Sequence, residues 1–205
     1  TVCGNGTITN GANVVNAVLN DQMIIGAIGT TRYTADGTSF TDVAGIGDVV
    51  SLTSYQRRIW AGGTDSSVSF STAGTASDFT SDSSSIVFGD SGRIFSTFKS
   101  ADRLIVTKNT GQMFHTDSTY VTDMATELGP TSIQSITQKE GAQFWLNRFG
   151  YYLFEGATPT LVSNNIQPQI YNDMGSAIVG VICLQLLSVM TWCLGTYHLV
   201  FKEGV

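Results

Sequence analysis

GRIFSTFKSADRLIVTKNTGQMFHTDSTYVTDM, residues 92–124, contains the grammar of the whole chain. Arg93–Lys99 places apolar residues at the two-residue period of a half-buried strand. A polar turn, Ser100-Ala101-Asp102, follows at once, and then a second apolar segment, Arg103–Thr107. The next turn, Lys108-Asn109-Thr110-Gly111, ends in glycine, which supplies the positive φ that short hairpins need. A third strand, Gln112–Thr116, a polar turn at Asp117-Ser118 and a weaker fourth strand, Tyr120–Met124, complete the unit.

The same order recurs on both sides. First strands are predicted at Val14–Leu19, Val49–Ser54 and Ser132–Gln138, second strands at Met23–Ile28, Arg58–Ala61 and Ala142–Leu146. Third strands follow at Arg32–Thr34, Ser67–Ser71 and Tyr151–Glu155, and fourth strands at Phe40–Val43, Ile86–Phe88 and Thr160–Ser163. Landmarks in the first strands (Val15, Val50, Ile94, Ile133) are 35, 44 and 39 residues apart, and those in the third strands (Tyr33, Phe70, Phe114, Tyr152) 37, 44 and 38. Two landmarks thus give one period of about forty residues, the length of a four-stranded propeller blade. The expected fold is all-β: a β-propeller-like array of four-stranded antiparallel blades, four full units and a partial fifth. A plain β-sandwich with evenly spaced strands is the competing architecture. It has no reason to repeat one strand–turn–strand grammar four times.

Composition agrees. Charged residues make up only 13%, against about a quarter in a typical soluble protein. Ser, Thr, Gly and Asn replace them, which suits short strands and tight turns better than long solvated helices. The net charge of −6 argues against a phosphate-binding surface over the whole molecule. Three cysteines, Cys3, Cys183 and Cys193, form neither a disulfide framework nor a zinc pattern. Residues 1–20 show no basic start and no apolar run, so no secretory leader is expected. The sequence does not begin with Met, which fits a processed or partial chain.

Residues 1–175 hold the four blade units; 176–205 differ. Ala177–Phe201 contains no charged residue and is long enough to cross a bilayer, which needs ~20 apolar residues. Gln185, Ser188, Thr191 and His198 interrupt it, and β-branched and aromatic residues are frequent. The reading is the first hairpin of a fifth blade; the alternatives are a transmembrane helix and a buried helix. An unfinished blade leaves an apolar edge that needs a cover. Sequence beyond Val205, residues 1–13 as a closing strand, or another subunit would serve.

No catalytic residues are expected. Nucleophilic catalysis needs a nucleophile, a base and an orienting group. The only histidines are His115 and His198, and no G-x-S-x-G elbow occurs. His115 reads as a structural or solvent-facing residue of a third strand, and His198 as a core or rim residue. No metal-ligand spacing or phosphate-cradling glycine loop is present, so neither metal nor cofactor is expected. Asp36, Asp65, Asp78, Asp90 and Asp117 fall in turns, where a carboxylate bonds nearby backbone N–H groups. Thr34-Ala35-Asp36-Gly37-Thr38-Ser39-Phe40 resembles the aspartate box of sialidase-type propellers, a turn-stabilising motif one residue longer in that family. Sialidases also need three arginines and a tyrosine nucleophile; Arg32, Arg57, Arg58, Arg93, Arg103 and Arg148 carry no such motif. The adjacent pair Arg57-Arg58 reads as a hairpin-turn charge pair that keeps the sheet edge soluble.

Three stretches carry a wider resemblance. They are Arg58-Ile59-Trp60-Ala61 with Val68-Ser69-Phe70-Ser71, Gly74 and Asp78-Phe79; Gly92–Ile94 through Arg103–Thr107 to Asn109–Phe114; and Gly129–Ile136 before Phe144–Gly156. Together, over residues 49–170, they resemble structural β-propellers of bacteriophage tails and virions, including the tail nozzles of short-tailed phages. Residues 177–195 depart from that pattern. The resemblance implies a structural component of a virion, a tail or head–tail connector platform assembled in the host cytoplasm. Its partners would be other virion subunits and copies of itself, near packaged DNA, with no small-molecule substrate and no membrane contact. The alternative is a glycan- or protein-binding propeller using loops at one rim, with Ala177–Phe201 as a possible tether.

Overall fold

The computed structural model describes residues 2–3, 6–7, 13–80, 84–125, 127–131, 135–139 and 142–164. A short ladder, β1 (Val2–Cys3) with β2 (Gly6–Thr7), precedes four antiparallel sheets of four strands each. Sheet one is β3 (Val15–Leu19), β4 (Gln22–Ala27), β5 (Thr30–Thr34) and β6 (Thr41–Asp42). Sheet two is β7 (Val49–Tyr55), β8 (Arg58–Gly63), β9 (Ser67–Phe70) and β10 (Ser84–Val87). Sheet three is β11 (Ile94–Ser100), β12 (Arg103–Lys108), β13 (Met113–Thr116) and β14 (Val121–Ala125). Sheet four is β15 (Thr137–Lys139), β16 (Ala142–Asn147), β17 (Gly150–Phe154) and β18 (Thr160–Leu161). Within every sheet the strands pair in sequence order, as a meander. The all-β, four-by-four expectation therefore holds. The fifth-blade and membrane readings of Ala177–Phe201 lie outside the described residues, as does His198.

Alternation decides what fills the space between sheets. Ala17 and Ile24 of sheet one pack on Val49, Leu52, Ile59 and Ala61 of sheet two. The other face of sheet two carries Val50, Trp60 and Val68 to Ile94, Leu104, Val106 and Phe114 of sheet three. Phe98, Ile105 and Met113 then meet Trp145, Tyr152 and Phe154 of sheet four. Each sheet is thus buried face to face on its successor, and successive residues of one strand serve different junctions. Close approach requires small residues at two matching points. A Cβ on Gly26 would stand 2.9 Å from Val49 Cγ1, and one on Gly62 2.7 Å from Ile94 Cγ2. Between sheets two and three the first strands also meet through hydroxyls. Ser51 Oγ and Thr97 Oγ1 are 2.7 Å apart, Thr53 Oγ1 donates to the Thr97 carbonyl at 2.7 Å, and the Thr97 N–H donates to Ser51 Oγ at 2.6 Å. Register shifts between Val49 and Ser51 and between Ile94 and Ser96 place matching irregularities at the start of these two strands.

One expectation needs correction. Of the first strand of unit four, expected at Ser132–Gln138, residues 132–134 lie outside the described residues, residues 135 and 136 are not strand, and the strand runs Thr137–Lys139. On either side of residues 132–134, Thr131 N–H and Oγ1 and Ser135 Oγ all donate to the Leu146 carbonyl of β16. Positive φ is also not confined to glycine. Gly29 (84°) and Gly111 (82°) behave as expected in the second turns, but the first turns use Asn20 (50°) with Asp21 (62°), and Gln56 (47°) with Arg57 (58°). Two consecutive left-handed residues give the type I′ hairpin that matches strand twist. Asn and Asp adopt it readily, Gln and Arg less so.

Candidate functional site

The first-to-second and third-to-fourth turns emerge on one rim, where each sheet grips the next. Asn20 Nδ2, in the first turn of sheet one, donates to the Gly74 carbonyl in a loop of sheet two, and Gln22 Oε1 accepts the Ala76 N–H. One sheet further on, Gln56 Nε2 donates to the Asp117 carbonyl, Ser118 Oγ donates to Gln56 Oε1 at 2.6 Å, and Tyr55 Oη donates to the Asp102 carbonyl. The same turn of sheet two is also held by its own loop, because the Arg57 carbonyl accepts the Gly74 N–H at 2.7 Å. These bonds offset the strain of left-handed Gln56 and Arg57, which is of order 1–3 kcal/mol per residue. Burial, then the Asp102 and Asp117 carboxylates, push the Tyr55 phenol above its usual range. Tyr120, 74% exposed, projects from this rim.

The turn aspartates behave as the sequence suggested, with one exception. Asp36 Oδ1 accepts the N–H groups of Thr38 and Ser39 and the hydroxyl of Thr34. The Ser39 and Thr38 bonds hold its carboxyl well below the ordinary carboxylate range. Asp117 is held low by the Tyr120 and Thr119 N–H groups, and Asp65 by the hydroxyl and N–H of Ser67. Asp78 caps the Thr80 N–H. The loop at Asp117 repeats the loop at Asp36, including the threonine two or three residues upstream of the N–H it accepts. The shorter spacing Thr116-Asp117-Ser118-Thr119 hid that match in the sequence. Asp90 is the exception: it lies on the connector from sheet two to sheet three, where its charge acts on Lys108.

The arginines are distributed over all four sheets. Arg32 Nε lies 2.9 Å from Asp42 Oδ1 within sheet one. Arg58 lies over Phe70 and donates from Nη1 to the Ser71 carbonyl at 2.7 Å. Arg93 lies over Phe95, and Arg148 over Phe149 while pairing with Glu127. Of the Arg57-Arg58 pair, Arg57 is exposed and Arg58 packs within its own sheet. His115, in β13 opposite Ile105, is half-buried, and burial and the nearby Arg103 push its imidazole below the usual value while Asp117 opposes them. Among the described residues no three His, Cys, Asp or Glu side chains form a metal-ion group, and no helix is long and apolar enough to cross a membrane.

The opposite rim carries the connectors between sheets. There the last residue of β12, Lys108, is fully buried, although the sequence placed it in a polar turn. Its Nζ donates to the Phe88 carbonyl and to Ser66 Oγ (3.2 Å), and lies 5.9 Å from the Phe114 ring centroid. Burial pushes its ammonium below the usual range, and Asp90 counters in part.

No protein-family model matches the chain, and no curated protein matches it. Solved structures do. YCF48 from Cyanidioschyzon merolae is similar over 77% of this chain and 59% of its own, with TM-score 0.55 and 11% identity. A YCF48 structure bound to D1 peptide gives TM-score 0.57 at 14% identity, over 77% of this chain and 56% of that one. The WD40 β-propeller domain of Doa1 gives TM-score 0.51 at 10% identity, over 73% and 53%. The chain thus spans less than two thirds of these propellers. At such identities the likeness shows the fold alone: the four sheets form a β-propeller-like array.

Proposed function

We propose that this chain is a non-catalytic propeller scaffold that binds other protein subunits through its rims, and that its setting is a bacteriophage particle. The observation that carries the scaffold reading is the turn rim. Its loops are fixed from sheet to sheet by Asn20, Gln22, Tyr55 and Gln56, and Asp36 and Asp117 each turn one carboxylate oxygen onto the N–H groups of their own turns. A surface cross-tied in this way holds exposed side chains such as Tyr120 on a fixed frame, which suits recognition. A propeller of similar fold holding a peptide supports protein as the ligand class. The particle setting rests on the sequence resemblance over residues 49–170.

Two experiments separate these layers. Mass spectrometry of purified particles from a source that encodes the chain should find it at fixed stoichiometry; its absence overturns the virion setting and leaves the scaffold reading standing. Screening against glycoside, ester and peptide substrates should give no turnover. Activity abolished by one carboxylate or histidine substitution would overturn the scaffold reading itself.

A further inference from the structure

The second strands β4, β8, β12 and β16 have six residues each, and their last residues occupy matching places: Ala27, Gly63, Lys108 and Asn147. The first two have no side-chain donor. The last two do, and each reaches back to a carbonyl 20 residues upstream on the connector arriving from the preceding sheet. Lys108 Nζ donates to the Phe88 carbonyl, and Asn147 Nδ2 to the Glu127 carbonyl (2.9 Å) as well as that of Gly129. An amine on a long stem and a short amide thus serve the same purpose at equivalent places.

We propose that this strand-terminal position sets how tightly the connectors between sheets are held, and that Lys108 and Asn147 are side-chain clamps for the junctions two-to-three and three-to-four. At the first of these the clamp grips both ends of residues 88–92. Lys108 holds the Phe88 carbonyl, Ser66 Oγ donates to the Gly92 carbonyl at 2.6 Å, and Lys108 and Ser66 are bonded to each other. The connector packs down on the lysine: a Cβ on Gly89 would lie 3.4 Å from Nζ, and one on Gly92 3.5 Å from Cε. At the second junction Asn147 holds two carbonyls, the adjacent Trp145 Nε1 donates to the Leu128 carbonyl at 2.7 Å, and Arg148 pairs with Glu127. Junction one-to-two is fastened from the other side, by Asp48 Oδ1 accepting the Gly29 N–H at 2.7 Å. Cutting a clamp takes the side-chain donor from a buried carbonyl, Phe88 or Gly129, so the penalty falls on the connector and not on the sheet cores.

Amide hydrogen exchange on the full chain tests this. Lys108→Met keeps the stem and removes the donors; it should speed exchange in 88–94 by roughly tenfold and leave 127–131 unchanged. Asn147→Asp keeps the shape and removes both donors; it should do the reverse. Should Lys108→Met fail to fold, Ser66→Ala carries the same test with a smaller, equally local effect. Unchanged exchange in the matching connector, or an equal rise in every segment, overturns the clamp.

Discussion

Substituting Gly62 by Ala tests the close packing of sheets two and three. The new Cβ would stand 2.7 Å from Ile94 Cγ2, well inside van der Waals contact, and Ile94 is fully buried. Overpacking of this kind costs about 1–3 kcal/mol. Against it, replacing a strand glycine by alanine recovers about 0.5–1 kcal/mol of backbone entropy. The net expectation is a loss of about 0–2.5 kcal/mol, or a fall in Tm of ~2–4 °C per kcal/mol lost for a chain of this size. Ile94→Ala alone should cost about 2–5 kcal/mol. The double variant should cost less than the two losses added, because the methyl that clashes has been removed; a coupling of about 1–2 kcal/mol is expected. Urea unfolding followed by the fluorescence of buried Trp60 and Trp145 gives all four corners of the cycle. Gly47→Ala, whose Cβ would meet nothing within 4 Å, is the control for the entropy term alone and should gain about 0.4–1 kcal/mol. A Gly62→Ala protein that gains as much stability as Gly47→Ala, or strictly additive losses, would refute the packing argument.

Other predictions follow from single groups. Tyr55→Phe should cost about 1–2 kcal/mol below pH 10 by leaving the Asp102 carbonyl unpaired. Because the native phenol titrates above its unfolded value, the parent loses stability as pH rises through the raised value, so the gap in urea midpoint should narrow in alkali. The lowered Asp36 carboxyl gives stability that is present above the unfolded value of 3.8 and lost as pH falls toward its native value; Asp36→Asn should flatten that acid limb in urea midpoints taken between about pH 4 and 2. Arg57→Gly should raise the urea midpoint by roughly 0.5–1 kcal/mol equivalent, since glycine accepts φ of 58° without strain. A lower midpoint would mean that the Arg57 side chain contributes more than the turn geometry indicates.

Strand order, period and turn-capping aspartates were legible because each is a local matter: alternation places strands, and Asp36 bonds residues two and three positions away. What escaped was long-range. Nothing in Gln56-Arg57 announces a left-handed turn, because the partners that hold it, Gly74, Asp117 and Ser118, belong to later segments. Lys108 reads as a turn residue until the Phe88 carbonyl and Ser66 are set beside it. A signal existed, however. Aligning the four second strands places Lys108 and Asn147 at one position opposite Ala27 and Gly63, a contrast visible without coordinates. Residue 135, expected in a strand, is engaged instead through its hydroxyl with the Leu146 carbonyl, a pull no periodicity records.

The three junctions are built from different materials. Glycine against valine joins sheets one and two, hydroxyls and a lysine join two and three, and aromatic rings with an asparagine join three and four. Tandem repeats risk docking on the wrong copy, since their faces are alike. Here each face carries an address. A chain that skipped sheet two and closed sheet one onto sheet three would trap the Lys108 ammonium away from the Phe88 carbonyl and strand the Thr97 amide without Ser51, so the wrong order is penalised at once. Blades of one architecture can therefore follow one another in a single chain, with their order written into the junctions.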